Sequence, residues 1–300
     1  MAGTDIQNRP PYDEPLVTMG VKAADPKDTS RLTEVLREMT GTDPVLEHGP
    51  ASGWGTTVLR GQSVPELDDA LSRLRKQVKV LADEPRVMHR VTVREAVSGA
   101  TGEYVGKSAQ VRVVLDVEPL EGDGPPRLEF VNKAEGVSAD HAGAFQERLW
   151  QFPGREWPLG NVRVTLAAGS SFQFTGASGG TSAIARAAFG ALESALGGGN
   201  SRLLEPWVNL TVTAPQNPYE GLVASCLNSR DALIMEQQVT GENVAVRALA
   251  PLSQLHSWDA YLSQRCDGKA TSSMTFHSFQ AASAEQQQMF DDALRARGRL

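Results

Sequence analysis

The chain has 300 residues, 40% of them apolar, and a formal net charge of −7. That length fits two domains or three small ones. Overall acidity argues against simple adhesion to nucleic acid, which needs Lys and Arg to displace counterions from phosphates. No apolar run approaches the roughly 20 residues of a membrane span. The first fifteen residues hold Asp5, Asp13 and Glu14 and no apolar stretch, unlike a signal or transit peptide. A cytoplasmic protein with no membrane partner is expected.

Residues 1–13 are polar, carry Pro10 and Pro11, and are expected to be a disordered arm. Leu16 to Ala23 alternates as a strand with one buried face. Asp25-Pro26 opens a helix with an apolar stripe of Leu32, Val35, Leu36 and Met39. Thr42-Asp43-Pro44 stops that helix and leads into a second strand, and Thr56 to Leu59 reads as a third. Ser63-Val64-Pro65-Glu66 has the form of a capping box, with Pro65 tolerated in the first turn. Leu67, Leu71 and Leu74 line the helix that follows, and Val78 to Ala82 is a fourth strand. Residues 14–86 thus read as βαββαβ, a ferredoxin-like module.

Residues 87–202 differ. Strands are expected at Val87–Val97, Ala109–Val117, Leu128–Val131 and Val162–Leu166, with helices near Asp140–Trp150 and over Thr181–Leu196. The second helix is rich in alanine, which suggests close packing on a sheet, and Gly197-Gly198-Gly199 ends it. Residues 203–279 again read as strand, helix, two strands, helix, strand. Residues 280–300 form a tail in which Ser283 to Arg297 is a helix, with Ser283 at its cap and Arg295 in its last turn. The fold class is therefore α+β, with two ferredoxin-like modules flanking a central α/β domain.

The chemistry-bearing residues are sparse. Cys226 and Cys266 give neither a disulfide framework nor a metal set. The five histidines, His48, His89, His141, His256 and His277, have no zinc spacing, so no metal and no cofactor are expected. Asp140-His141 is the one adjacent acid–imidazole pair. Neighbouring residues on a helix point different ways, so Asp140 reads better as an N-cap than as a catalytic partner. His256, beside Trp258 and Tyr261, reads as a half-buried helix residue. Phe145, Trp150, Phe152 and Trp157 are dense for this composition and read as core and lid packing. A second reading makes Trp150, Phe152, Trp157, Phe172 and Phe174 a pocket for a small-molecule ligand, with His141, Asp140 and His256 as its catalytic candidates in a cofactor-free cyclase or isomerase. No phosphate-binding GxxxxGK[ST] occurs, and Gly176–Gly180 and Gly197–Gly199 read as loop and helix-end glycines.

Several short motifs occur in one order. The last block opens with Leu203-Leu204-Glu205-Pro206, continues through Ala214-Pro215-Gln216-Asn217-Pro218-Tyr219-Glu220-Gly221, then Ala250-Pro251-Leu252-Ser253-Gln254-Leu255, and closes on Gly268-Lys269-Ala270. The central block carries Val117-Glu118-Pro119-Leu120 and Phe130-Val131-Asn132. The first block carries Asp43-Pro44-Val45 and Gly61 with Leu67. In this order the motifs resemble the third, fourth and fifth domains of elongation factor G. The subfamily they resemble is the mitochondrial second elongation factor G, a ribosome-releasing factor. Gly106-Lys107-Ser108 runs straight into a strand without a glycine-rich loop, as in that subfamily and in the tetracycline-resistance ribosomal protection proteins, which are also similar, and the Gln280–Gln287 tail resembles that subfamily's ending.

The resemblance implies a ribosome or ribosomal subunit as partner, with Lys107, Arg230 and Arg265 among the RNA contacts. It also implies a GTPase domain that these residues do not contain, so hydrolysis of GTP by the family's mechanism is not expected of them. Departures accompany the match. The family's "RRG" turn reads Ser229-Arg230-Asp231, and Phe172 to Ser178 has neither histidine nor acid where the family has "HDVDSS". From Arg94 to Arg202 there are ten Lys and Arg against twelve Asp and Glu, a poor match to an RNA-entering tip.

Overall fold

The computed structural model describes residues 15–43, 46–50, 57–122, 126–149, 157–175 and 180–296. The expected arm, Trp150 and Phe152 lie outside them. Two compact units are present. One holds the described residues of 15–88 and 205–280, and the other those of 89–122, 126–204 and 281–296.

The first unit contains two βαββαβ modules. In the first, β1 (Val17–Ala23), α1 (Thr29–Thr42), β2 (Glu47–Pro50), β3 (Thr57–Gly61), α2 (Val64–Arg75) and β4 (Val80–Ala82) give the strand order β2-β3-β1-β4. Val17, Met19 and Val21 face one way, as period two requires, and are buried with Leu32, Val35 and Leu36 of α1 and Leu67 and Leu74 of α2. The capping box of α2 is complete: Ser63 Oγ accepts from Glu66 N–H, and Glu66 Oε2 accepts from Ser63 N–H.

Where sequence patterning suggests one strand over Val87–Val97, the structure has three pieces. They are β5 (Arg86–Val87) on β1, β6 (Arg90–Val93), and β7 (Val97–Val105), which runs further than expected. The segment passes from one unit to the other and changes partner twice, which alternation along the chain cannot reveal.

In the second unit β7 pairs with β8 (Ala109–Pro119), whose other edge meets β10 (Val162–Leu166) at one end and β11 (Ser171–Phe174) at the other. β9 (Leu128–Asn132) pairs with β10 in parallel, and α3 (Ala139–Leu149) is the crossover between them. β11, which holds Phe172 and Phe174, is a strand beyond those expected from the sequence. α4 (Gly180–Leu196) lies on β7 and β8. Its buried Ala183, Ala187, Ala188, Ala191 and Ala195 bring it close to the sheet. There β7 offers Gly102, where a Cβ would stand 2.0 Å from Ala187 O and 2.3 Å from Ala191 N.

The long strand β12 (Ser201–Pro215) serves both units. Its first four residues pair with β6. The rest centres the second ferredoxin-like module, with α5 (Gln216–Asn228), β13 (Leu233–Thr240), β14 (Asn243–Pro251), α6 (Trp258–Arg265) and β15 (Thr271–Ala281) in the order β13-β14-β12-β15. The last helix, α7 (Ala284–Ala296), begins at Ser283, whose Oγ accepts from Gln286 N–H. It buries Phe290 and Leu294 in the core of the second unit. Gln287 fixes it there: Oε1 accepts from Leu203 N–H at 2.8 Å and Nε2 donates to Ser201 O at 3.3 Å.

Candidate nucleic-acid interface

β7 and β8 form a hairpin closed by Gly106 N–H donating to Ala109 O at 2.9 Å. Lys107 stands exposed in its loop, next to Val105, which is 75% exposed. Gly106 leaves room for the Tyr104 ring, since a Cβ there would lie 2.7 Å from Tyr104 Oη. The Arg186 guanidinium of α4 covers that ring at 5.6 Å. Thr175 N–H donates to Ser108 O, which ties the end of β11 to the same loop. One end of the second unit thus carries Lys107, Arg186 and Tyr104, with Arg112 beside Glu103 at 3.5 Å.

Charge is sorted along β8. Toward its other end, Glu118 and Glu129 flank Arg163 at 3.4 and 2.7 Å, and the two carboxylates hold its guanidinium pKa above the ordinary value, Glu129 contributing most. All three side chains are part-exposed, so the triplet is screened by water and salt. Tyr104 and Arg186 carry no sequence motif. Only the register of β7 on β8 and the packing of α4 bring them to Lys107.

In the second ferredoxin-like module, Arg230 follows α5. Its guanidinium lies 4.7 Å from the centre of the Tyr261 ring and donates to Gln254 O at 3.2 Å. It ties together α5, the 3-10 turn Leu252–Leu255 and α6. Asp231, where the family has glycine, keeps a left-handed backbone with φ of 52°. Arg265 is exposed in the last turn of α6, favourably placed at the helix's negative end. The buried Glu205 of the Leu-Leu-Glu-Pro motif accepts from Ser253 Oγ at 2.6 Å. Two of the quoted motifs therefore meet inside this module as framework. Both cysteines are buried, and burial raises the Cys266 thiol pKa, with Cys226 and Asp267 adding to it.

The acid–base candidates are not assembled. Ser138 caps α3, its Oγ accepting from His141 N–H at 3.3 Å, so Asp140 sits exposed in the first turn rather than at the cap. The His141 ring packs on Phe174 at 4.8 Å and Phe172 at 6.0 Å. His256 is exposed and lies in the other unit, which corrects its expected half-burial. The aromatic residues divide as well. Phe172 and Phe174 pair with the Val111 and Ala109 end of β8, whereas Trp157 stands edge-on to Phe290 at 5.1 Å, just before the strand that pairs with Pro119. Eleven residues of β8 place those ends about 30 Å apart. Among the described residues no group of three or more His, Cys, Asp or Glu could hold a metal ion. Among the described residues no helix is long and apolar enough to cross a membrane.

Residues 202–289 match the family described as elongation factor G C-terminus. Elongation factor G of Thermotoga petrophila is 27% identical over 282 residues, which is 90% of this chain and 40% of that protein. The Thermotoga maritima protein is 26% identical over the same coverage. A crystal structure of a protein from Thermus thermophilus shares the fold with a TM-score of 0.66 and 22% identity, over 92% of this chain and 42% of that one. The chain thus spans 40% of the length of the curated relatives it matches. Across its three modules it resembles the C-terminal part of elongation factor G.

Proposed function

We propose that this chain is a translation-factor-like protein that engages the ribosome or one of its subunits through the hairpin end of its second unit. The observation that carries the reading is the collinear match to elongation factor G over 90% of the chain. The exposed Lys107 in the hairpin loop and the exposed Arg186 over the Tyr104 ring support it, because a nucleic acid surface is met by cations at phosphates. A recycling role, as in the ribosome-releasing subfamily, is the finer form of this proposal.

The net charge of −7 opposes approach to RNA, so a few local cations must outweigh a repulsive body. Binding is therefore weak, with the modest salt dependence that a few phosphate contacts give. Co-sedimentation of the purified chain with ribosomes and separated subunits tests this. Co-migration at low salt that fades as salt rises, and that falls several-fold in Lys107→Glu without a change in melting temperature, is the expected result. Absence of co-migration at low salt would sink the proposal.

A further inference from the structure

We propose that β13 is a self-pairing edge through which two copies of this chain join their sheets, independently of any ribosome contact. β13 is the terminal strand of its sheet, and all eight of its residues are exposed. It carries Leu233, Ile234, Met235 and Val239, four of the seven exposed large apolar side chains among the described residues. Edge strands are ordinarily blunted by lysine, proline or a bulge, because their free N–H and C=O groups template another strand. β13 has no lysine and no proline. Its one charge, Glu236, is matched by Arg247 of β14 at 3.1 Å. Its bulge lies between Ile234 and Glu236, and beyond it Glu236–Thr240 is regular.

The occupant follows from that pattern. Gln237 and Val239 pair with the buried Val246 and Val244, so they face the helix side of the sheet. Glu236 and Gln238 pair with Arg247 and Ala245 and face the other side. An antiparallel partner must place residues of the same face opposite each other. A second β13 centred on Gln237 does so. Val239 then stands at each end of the regular pairing, beyond which lies the bulged Met235. Glu236 meets the amide of Gln238, and Gln237 meets itself. The Glu236 carboxylate opposes an amide donor, exposed apolar side chains close both ends of the pairing, and Gln237 Nε2 donates to Glu220 Oε1 of α5 in its own copy. A neutral edge complementary to itself in this register fits another copy of the chain. A pairing of five residues is at or below the small end of specific interfaces, about 1,200 Å², so the association is weak and concentration-dependent.

Sedimentation velocity on the full chain, from about 1 to 100 μM, is the test. The parent should pass from monomer to dimer over this range. Val239→Lys, at an exposed position, should weaken dimerisation at least about tenfold with unchanged thermal melting. Under mild oxidation Gln237→Cys should form an interchain disulfide more readily than Gln238→Cys, because only position 237 lies on the symmetry axis. A parent that stays monomeric throughout, a Val239→Lys chain that still dimerises, or preferential cross-linking of Gln238→Cys would each overturn the proposal.

Discussion

Gly102 and Gly190 face each other where β7 meets α4, and exchanging either for alanine should have opposite effects. A Cβ at Gly102 would stand 2.0 Å from Ala187 O, 2.3 Å from Ala191 N and 2.9 Å from the Gly190 carbonyl carbon. All three are helix backbone atoms that no rotamer change can move aside. Restoring an ordinary contact of about 3.4 Å requires α4 to lift by roughly 1.4 Å, which strips packing from its alanine face. Overpacking of this kind costs about 1–3 kcal/mol when side chains can yield, so Gly102→Ala should cost about 3 kcal/mol or more. At Gly190, a Cβ would meet only Gly102 Cα at 3.5 Å. There alanine removes the helix penalty of glycine, a gain of about 0.5–1 kcal/mol. The two units need not unfold together, so the assay should be local: hydrogen exchange of the β7, β8 and α4 amides. A Gly102→Ala loss below about 1 kcal/mol, or a Gly190→Ala chain less stable than Gly102→Ala, would refute the packing argument.

Gln287→Ala should leave the Leu203 N–H buried and unpaired, at a cost of about 1–3 kcal/mol. Limited proteolysis should then cut α7 faster than in the parent, and equal rates would contradict the latch. Asp231 sits at φ of 52°, where side chains other than Asn and Asp lose about 1–2 kcal/mol. Asp231→Gly should therefore be neutral or stabilising by up to about 1 kcal/mol, read from thermal melting, and a clear loss would show that the carboxylate is needed. Burial raises the Cys266 thiol pKa. Its contribution to stability is then fully present below the unfolded thiol's pKa and is lost as pH rises through the folded value. Unfolding titrations at successively alkaline pH should show that decline in the parent and a smaller one in Cys266→Ala. Arg230→Ala removes a cation–π contact of about 0.5–2 kcal/mol and a hydrogen bond, so it should lower the melting temperature, whereas Lys107→Glu should not.

The two ferredoxin-like modules were legible because each of their elements is a local pattern. Val17, Met19 and Val21 alternate, Leu32, Val35, Leu36 and Met39 recur at helical spacing, and Ser63 with Glu66 marks a helix start. The central block was read less well. β7 escaped because Ser98-Gly99-Ala100-Thr101-Gly102 has the composition of a loop, yet Gly102 is there to admit α4. β11 escaped because its register against Ala109–Arg112 is set by a partner some sixty residues away. The candidate site was legible only at Lys107. Tyr104 and Arg186 join it through strand register and helix packing, and grouping aromatic residues by sequence could not reveal that Phe172 and Phe174 pair with one end of β8 while Trp157 packs on Phe290 of α7.

Net composition was also a poor guide to charge at the site. Ten cations against twelve acids over the central block describe an average, and the average conceals the sorting along β8. Glu118 and Glu129 are committed to Arg163 at one end, while Lys107 and Arg186 gather at the other. The basic turn of the last module shows the reverse. Arg230 matches the arginine of the motif it resembles, and its guanidinium lies against the Tyr261 ring and donates to Gln254 O. Arg230 packs as framework, whereas Lys107 and Arg186 are exposed. The ribosome reading therefore stands or falls at the β7–β8 hairpin, where the side chains are exposed and the protein can lose them without losing its fold.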